Sequence, residues 1–209
     1  MQIDLRVLEL LSSRLCHDLV SPVSAINNGV ELITDIGEEM TAEAMKLISD
    51  SGIKAARRLK CYRMAYGRAG SDSLLSLRDV RQVIEQYLMD SKITINWADD
   101  AVSFQLEDAK GYLKTLVNVI LLTEESLPYG GTISIKKTHM GVRIEANGRS
   151  AVLHEQSQEA LKGTLPIEEI SSKTVHAYLT GKFAENFELK ISYEHATSES
   201  LIINLLTII

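Results

Sequence analysis

Six consecutive residues, His17-Asp18-Leu19-Val20-Ser21-Pro22, place an imidazole, a carboxylate and a hydroxyl within little more than one helical turn. Imidazole is the side chain best suited to reversible chemistry near neutrality. A carboxylate at the next position can hold one ring nitrogen as N–H, which leaves the other with a free lone pair for attack. Ser21, one turn on, can orient a water or a phosphoryl oxygen. Pro22 lacks the N–H that would bond the carbonyl of Asp18 and costs a helix interior about 3 kcal/mol, so it loosens the backbone beside the histidine. A lone histidine on a helix is ordinarily incidental, and a proline kink can serve packing alone. The three neighbours together turn the reading towards a nucleophile.

Such a nucleophile needs a helix to present it. Leu8, Leu11, Leu15, Leu19, Val23, Ile26, Val30 and Ile33 recur at steps of three and four and predict a first helix, with Asp4 as N-cap and a break at Asp35 and Gly37. His17 lies two positions after Leu15, about 200° round the helix, and so points out of the seam with Ser13, Ser21, Ser24 and Asn28. A second helix is predicted from Thr41, with a heptad seam of Met45, Ile48, Gly52, Ala55, Leu59, Tyr62 and Tyr66 and a coiled-coil-like crossing of about 20°. The short turn makes the two helices antiparallel neighbours. With that turn centred near residues 38–39, Lys60 lies opposite His17. Between Lys54 and Arg68 stand six cations and no acid, among them Arg57, Arg58, Lys60 and Arg63. Some of them are expected to flank His17, where they would stabilise a phosphoryl dianion or steer an acidic partner; the plain alternative is a solvated helix face. Leu5, Val7, Leu10, Leu32 and Met64 lie off the main stripes. A second copy closing a dimeric four-helix bundle would cover them, as would the rest of the same chain.

The chain has 209 residues, 45% hydrophobic and 24% charged, which suits a folded protein of one or two domains that needs no disulfide or metal staple. A net charge of −6 argues against nucleic acid as the main partner. Residues 1–70 hold nine cations and nine acids, leaving 13 and 19 for the remainder, a hint of two modules. Gly67, Gly70, Ser71, Asp72 and Ser73 form the joint. Beyond it the pattern predicts a helix over 77–88, a strand over 93–97, an apolar helix over 106–127, strands over 132–136 and 142–146, a helix over 166–184, and closing strands over 189–193 and 200–206. Hairpin-length turns favour an α/β sandwich over a doubly wound sheet. The fold class is therefore α+β: a helical hairpin over 1–70 and an α/β sandwich over 71–209. Cys16 and Cys61 form no CxxC pair, the start MQIDLRVLELL has no cationic lead, and no apolar run approaches the ~20 residues of a membrane span. A cytoplasmic protein without a membrane partner is expected.

The sequence His17-Asp18-Leu19-Val20-Ser21-Pro22 resembles the phosphoacceptor box of two-component histidine kinases, carried on a dimeric hairpin ahead of an ATP-binding domain. The nucleotide boxes resemble that family mainly by their losses. Asn118 and the run Gly130-Gly131-Thr132-Ile133 keep the frame, but Leu122 stands where the metal-binding Asn belongs. Ala146-Asn147-Gly148-Arg149-Ser150 replaces the adenine box, and Ser171-Ser172-Lys173-Thr174 replaces the glycine-rich lid. Phosphate cradles need glycine backbones and Mg²⁺ needs oxygen ligands. A phosphoacceptor hairpin with a degenerate ATPase domain is similar to the ChpT-type histidine phosphotransferases, whose Leu-Cys-His-Asp-Leu-x-x-Pro and Ala-Ile-x-Asn-Gly patterns match Leu15 to Pro22 and Ala25 to Gly29. The resemblance implies a homodimer that relays phosphate between the receiver domain of a hybrid histidine kinase and response regulators. No cofactor of its own is implied, since Mg²⁺ would come on the receiver. His17, Asp18 and Ser21 would be catalytic, with Arg14, Leu19, Val20, Arg57, Lys60 and Arg63 facing the partner. An ATP-dependent kinase with a divergent site and a non-catalytic dimeric adaptor are the alternatives.

Overall fold

The computed structural model describes residues 4–36, 41–67, 75–98 and 110–207. The predicted turn centre at 38–39, most of the joint after Gly67, Arg68 and the start of the helix expected from 106 lie outside the described residues.

Helix α1 spans Leu5–Ile36 and α2 spans Thr41–Tyr66. Asp4 starts α1 as expected: its carboxylate accepts from the Arg6 N–H at 2.8 Å and its carbonyl from Val7 and Leu8, which occupies donors that have no partner within the helix. The far end of α2 is closed by another element. Lys114 Nζ donates to the carbonyls of Tyr66 and Gly67, and Asn118 Nδ2 donates to that of Ala65 at 2.8 Å. Asn118, which keeps the frame of a nucleotide-binding helix, is fully buried and spends its amide tying the hairpin to the helix beneath it.

The remaining elements are α3 (Leu77–Leu88), β1 (Ile93–Trp97), α4 (Tyr112–Glu125), β2 (Gly131–Thr138), β3 (Gly141–Asn147), α5 (Glu155–Lys162), a 3-10 turn (Ile167–Glu169), α6 (Val175–Asn186), β4 (Leu189–Thr197) and β5 (Ser200–Thr207). Ser76 and Asp79 form a reciprocal capping box at the start of α3. The sheet order is β1-β2-β3-β5-β4, with β1 parallel to β2 and every other pair antiparallel. Its register aligns Ile135, Ile144 and Ile203 across three strands, with Ile133, Ala146 and Leu201 in the next row. All six are buried, and α3, α4 and α6 pack on the sheet. Helix α4 is buried from Tyr112 through Thr123 because the sheet lies on one side and α2 on the other.

Helix α5 has no counterpart in the sequence reading. Its Glu-Gln-Ser-Gln-Glu start carries no apolar period, and only Ala160 and Leu161 are buried. The single helix expected over 166–184 is instead a 3-10 turn and α6, separated by a turn at 172–174.

The hairpin corrects the predicted seam. Leu8, Val23 and Val30 of α1 and Met45 and Leu59 of α2 are exposed. The other seam positions hold: Gly29 lies against Ile48 and the Ala44 carbonyl, Tyr62 meets Asp18, and Leu11, Leu15, Ile26 and Ile33 are half-buried. Val7, Cys61, Met64 and Ala65 belong to the same apolar cluster as α3, α4 and the sheet, with Leu10 packed against it. The rest of the chain therefore covers the off-stripe residues Val7, Leu10 and Met64, and only part of the predicted stripes, at Leu8, Val23, Val30, Met45 and Leu59, remains open.

Two close glycine contacts bear on the sheet and the hairpin. Gly131, at φ +151°, would set a Cβ 2.3 Å from the Asn147 carbonyl across the β2–β3 pair. Gly29 lets α1 approach α2, since a Cβ there would lie 2.6 Å from Ile48 Cγ1 and 3.2 Å from the Ala44 carbonyl. Gly29→Val is expected to cost about 1–3 kcal/mol through overpacking, read as a lower midpoint in urea unfolding.

Candidate phosphoacceptor site

Neighbouring positions on a helix point about 100° apart, so His17 and Asp18 face different surroundings. The His17 side chain is 89% exposed, and its Nδ1 lies 3.4 Å from Asp18 Oδ1. Asp18 turns towards α2, where its Oδ2 accepts a hydrogen bond from the Tyr62 hydroxyl at 2.6 Å. The carbonyl of Asp18, left without an N–H by Pro22, accepts instead from Arg58 Nη1. Tyr62 is itself wedged between Tyr66 and Tyr87, with ring centroids 6.2 and 6.3 Å away. Burial, joined by the bond to Asp18, pushes the Tyr62 hydroxyl far above the ordinary tyrosine range, so it stays a protonated donor.

A second polar cluster ties α1 to the α/β part. The Arg14 guanidinium pairs with Glu125 and donates to the Ser172 carbonyl at 3.2 Å, and Arg6 Nη2 donates to the Ile170 carbonyl at 3.2 Å. Glu125 also meets His176 Nδ1 at 2.5 Å, and His176 is fully buried. Burial acts to raise the Glu125 carboxyl, but the His176 and Arg14 contacts overcome it and hold the group below the usual carboxylate range. Next to it, Glu124 borders a hollow with Lys54, Arg57, Arg58 and Tyr87. There burial, aided by the charge of Glu125, pushes its carboxyl up to about 7.

A cavity of about 590 Å³ opens beside this cluster, with Leu122, Ser126, Lys173 and Thr174 in its wall. Arg14 of α1 also lines it.

The expected site residues divide. His17, Asp18, Leu19, Val20 and Ser21 gather on one stretch of α1, with Val20 and Ser21 exposed and Leu19 half-buried. Arg14 does not face outward as expected: its guanidinium is drawn in by Glu125 and Ser172. Arg57 pairs with Asp90 at 3.2 Å. Lys60 and Arg63 border a different hollow, with Leu75, Asp79 and Gln82 on the α3 side. Lys60 lies two residues, about 200°, from Arg58, which turns it away from α1. The cation that meets α1 near His17 is therefore Arg58. Tyr62 and Arg58 are the site residues that sequence reasoning missed as such. The same level-matching that set Lys60 opposite His17 also sets residues 58–62 opposite Asp18, and adding the helical angle would have selected them.

A sheet domain clasped to a hairpin whose outward histidine stands beside an anchored carboxylate defines a phosphotransfer protein of the histidine type. The model of the histidine phosphotransferase C-terminal domain matches residues 77–199. The protein phosphotransferase ChpT of Brucella abortus (strain 2308) is 34% identical over 198 residues, covering 92% of this chain and 91% of that one. A bacterial phosphotransferase of known structure, solved at 1.7 Å, is 30% identical with a TM-score of 0.77, covering 98% of each chain. The chain belongs to the histidine phosphotransferase family and is a phosphotransferase of the phosphorelay kind.

Two outcomes follow from the geometry. Arg58→Met is expected to cost about 1–3 kcal/mol in urea unfolding by leaving the Asp18 carbonyl without its donor. In a Pro22→Ala background, where an N–H at position 22 reaches that carbonyl, the cost shrinks; additive costs in the double-mutant cycle would contradict the assignment. Glu124 supplies a pH dependence. Its carboxyl is raised from 4.5 to about 7, so the folded protein keeps a proton that the unfolded chain releases, and stability falls as pH rises through that window. Glu124→Gln is therefore expected to raise Tm relative to wild type at about pH 8 and to leave it little changed at about pH 5.

Proposed function

We propose that His17 is the phosphoacceptor and that the chain relays a phosphoryl group between aspartates of receiver domains. Donor and acceptor are the receiver domain of a hybrid histidine kinase and downstream response regulators. The observation that carries this reading is the pairing of an open imidazole with a carboxylate that is already oriented. In the transfer, His17 Nε2 attacks the phosphorus of a receiver aspartyl phosphate in line. The N–P bond forms as the acyl O–P bond breaks, and the aspartate leaves as carboxylate. Nδ1 keeps its proton, and the charge gained by the ring is balanced by Asp18. Transfer to the next receiver reverses these steps. Positioning and charge stabilisation supply most of the catalysis in phosphoryl transfer.

On this reading Val20 and Leu19 dock the receiver beside the histidine, and Ser21 orients water for a slow hydrolytic side reaction. The chain needs no cofactor of its own, Mg²⁺ being held by the acidic pocket of the receiver. Leu122 in the cavity wall, and the contacts of Arg6 and Arg14 with the 170–172 backbone, support a second domain that serves as scaffold and docking surface without ATP. Residues 1–70 then form the phosphotransfer hairpin and 71–209 its supporting module. The open stripe of Leu8, Val23, Val30, Met45 and Leu59 supports a homodimer closed through a four-helix bundle. No helix among the described residues is long and apolar enough to cross a membrane. The exposed free thiol of Cys16 fits a reducing, cytoplasmic setting.

The test mixes the protein with a receiver charged by acetyl phosphate and Mg²⁺. An acid-labile, base-stable phosphate is expected on His17, with none on His17→Gln and none from ATP and Mg²⁺ alone. Failure of wild type to take up label from a charged receiver would remove the proposal. Val23→Glu with Leu59→Glu is expected to halve the mass seen in sedimentation, and Ser21→Ala to slow decay of the charged receiver.

A further inference from the structure

We propose that Tyr62 is a positioning residue for the transfer: it fixes the Asp18 carboxylate so that His17 offers Nε2, and not Nδ1, as its nucleophilic nitrogen. The inference deepens the reading of His17 as phosphoacceptor and rests on it.

Both side chains have freedom that the transfer cannot use. An imidazole as exposed as His17 populates both neutral tautomers unless a hydrogen bond at one nitrogen decides between them. The available acceptor is Asp18 Oδ1, 3.4 Å from Nδ1. Yet an aspartate on a helix turns about its own side-chain torsions, and a carboxylate free to turn would present either oxygen, or neither, to the ring. The structure removes that freedom at two points. The Tyr62 hydroxyl holds Oδ2 at 2.6 Å, which leaves Oδ1 as the oxygen on the His17 side. Arg58 holds the main-chain carbonyl of the same residue, which Pro22 has released from the helix. Asp18 is thus secured through both its side chain and its backbone, and each donor comes from one turn of α2.

Tyr62 can act only through Asp18. It is 8% exposed, packed between Tyr66 and Tyr87, and its hydroxyl is spent on Oδ2, so no visiting receiver touches its reactive end. Its hydroxyl remains protonated through the neutral range, as a donor to a carboxylate must. A bond of this charge-assisted kind is worth more than a neutral one. The arrangement matches the outer partners of metal-binding histidines, where a second hydrogen bond fixes which ring nitrogen is free.

The test is Tyr62→Phe, which keeps the ring and its packing and removes only the donor. Two readouts are taken on the full-length protein. The first is transfer from a charged receiver, where the maximal rate is expected to fall about tenfold with the KM for receiver unchanged, the loss of one charge-assisted hydrogen bond at the transition state. The second is the ¹⁵N shifts of the His17 ring, which are expected to show Nδ1–H in wild type and a mixture of tautomers in the variant. A variant with the wild-type rate and tautomer overturns the inference, as does a loss confined to KM with the tautomer unchanged. The ring signal does not depend on phosphate. If wild type takes no label from any receiver while the tautomer still responds to Tyr62→Phe, it is the phosphoacceptor reading that fails and not the positioning.

Discussion

A carbonyl with no hydrogen in its own helix organises this molecule around residue 18. Proline at position 22 removes one bond from the α1 ladder, and a buried or half-buried carbonyl left alone costs as much as a lost hydrogen bond. The deficit is met from the neighbouring helix by Arg58, and Tyr62, one turn along, takes the carboxylate of the same residue. A defect in local structure thus becomes a tertiary contact that fixes the phase of α2 relative to α1. Once that phase is set, Gly29 sits where Ile48 and the Ala44 carbonyl of α2 come too close for a side chain.

The same logic holds between the hairpin and the sheet. Helix α2 ends with carbonyls that no residue of its own can satisfy, and α4 supplies Lys114 and Asn118 to satisfy them. Helix α1 sends Arg6 and Arg14 across to the 170–172 backbone and to Glu125, which His176 holds from beneath. A buried ion cluster of this kind is weak evidence for added stability, because desolvation consumes much of its attraction. Its value is orientation: each partner has one geometry that leaves no charge uncompensated. Helix α1 contributes Arg14 to the cavity wall. The family relationship and this clasp support one view, a second domain that holds the hairpin and presents a surface beside it.

Much of this was legible in the sequence, for reasons that differ by element. Alternation of apolar residues gave the five strands, because a half-buried sheet imposes a period of two that few other structures share. The capping acid Asp4 follows from the need of exposed N–H groups for acceptors. Helix α5 was invisible because it buries two residues and borrows its stability from neighbours. The seam was misread because a heptad stripe marks an apolar face without saying what covers it. Steps of three and four selected Ile48 and Tyr62, which do meet α1, together with Met45 and Leu59, which do not, and they passed over Gly29, whose lack of a side chain leaves no hydrophobic signature. The cations were misassigned for a related reason. Height along the hairpin was estimated correctly, but height without angle cannot separate Arg58 from Lys60.

That distinction between height and angle also explains how one helix serves two demands that conflict. A phosphoacceptor must be open to a bulky protein, and its orienting acid must be rigid, which on a small surface means buried. Consecutive helical positions resolve the conflict, since the turn of about 100° between them puts His17 in solvent and Asp18 at the interface while their side chains remain neighbours. The arrangement works only if something behind the acid holds it. The covered face of the hairpin is thus what gives the open face its chemistry, and the stripe left exposed on α1 and α2 flanks that open face without contributing to the hold. A partner can close over Leu8, Val23 and Leu59 without disturbing Tyr62, and a receiver can approach His17 without displacing Arg58. Under the proposed function, then, association through Leu8, Val23 and Leu59 and receiver docking at His17 and Val20 would use different positions on the same two helices.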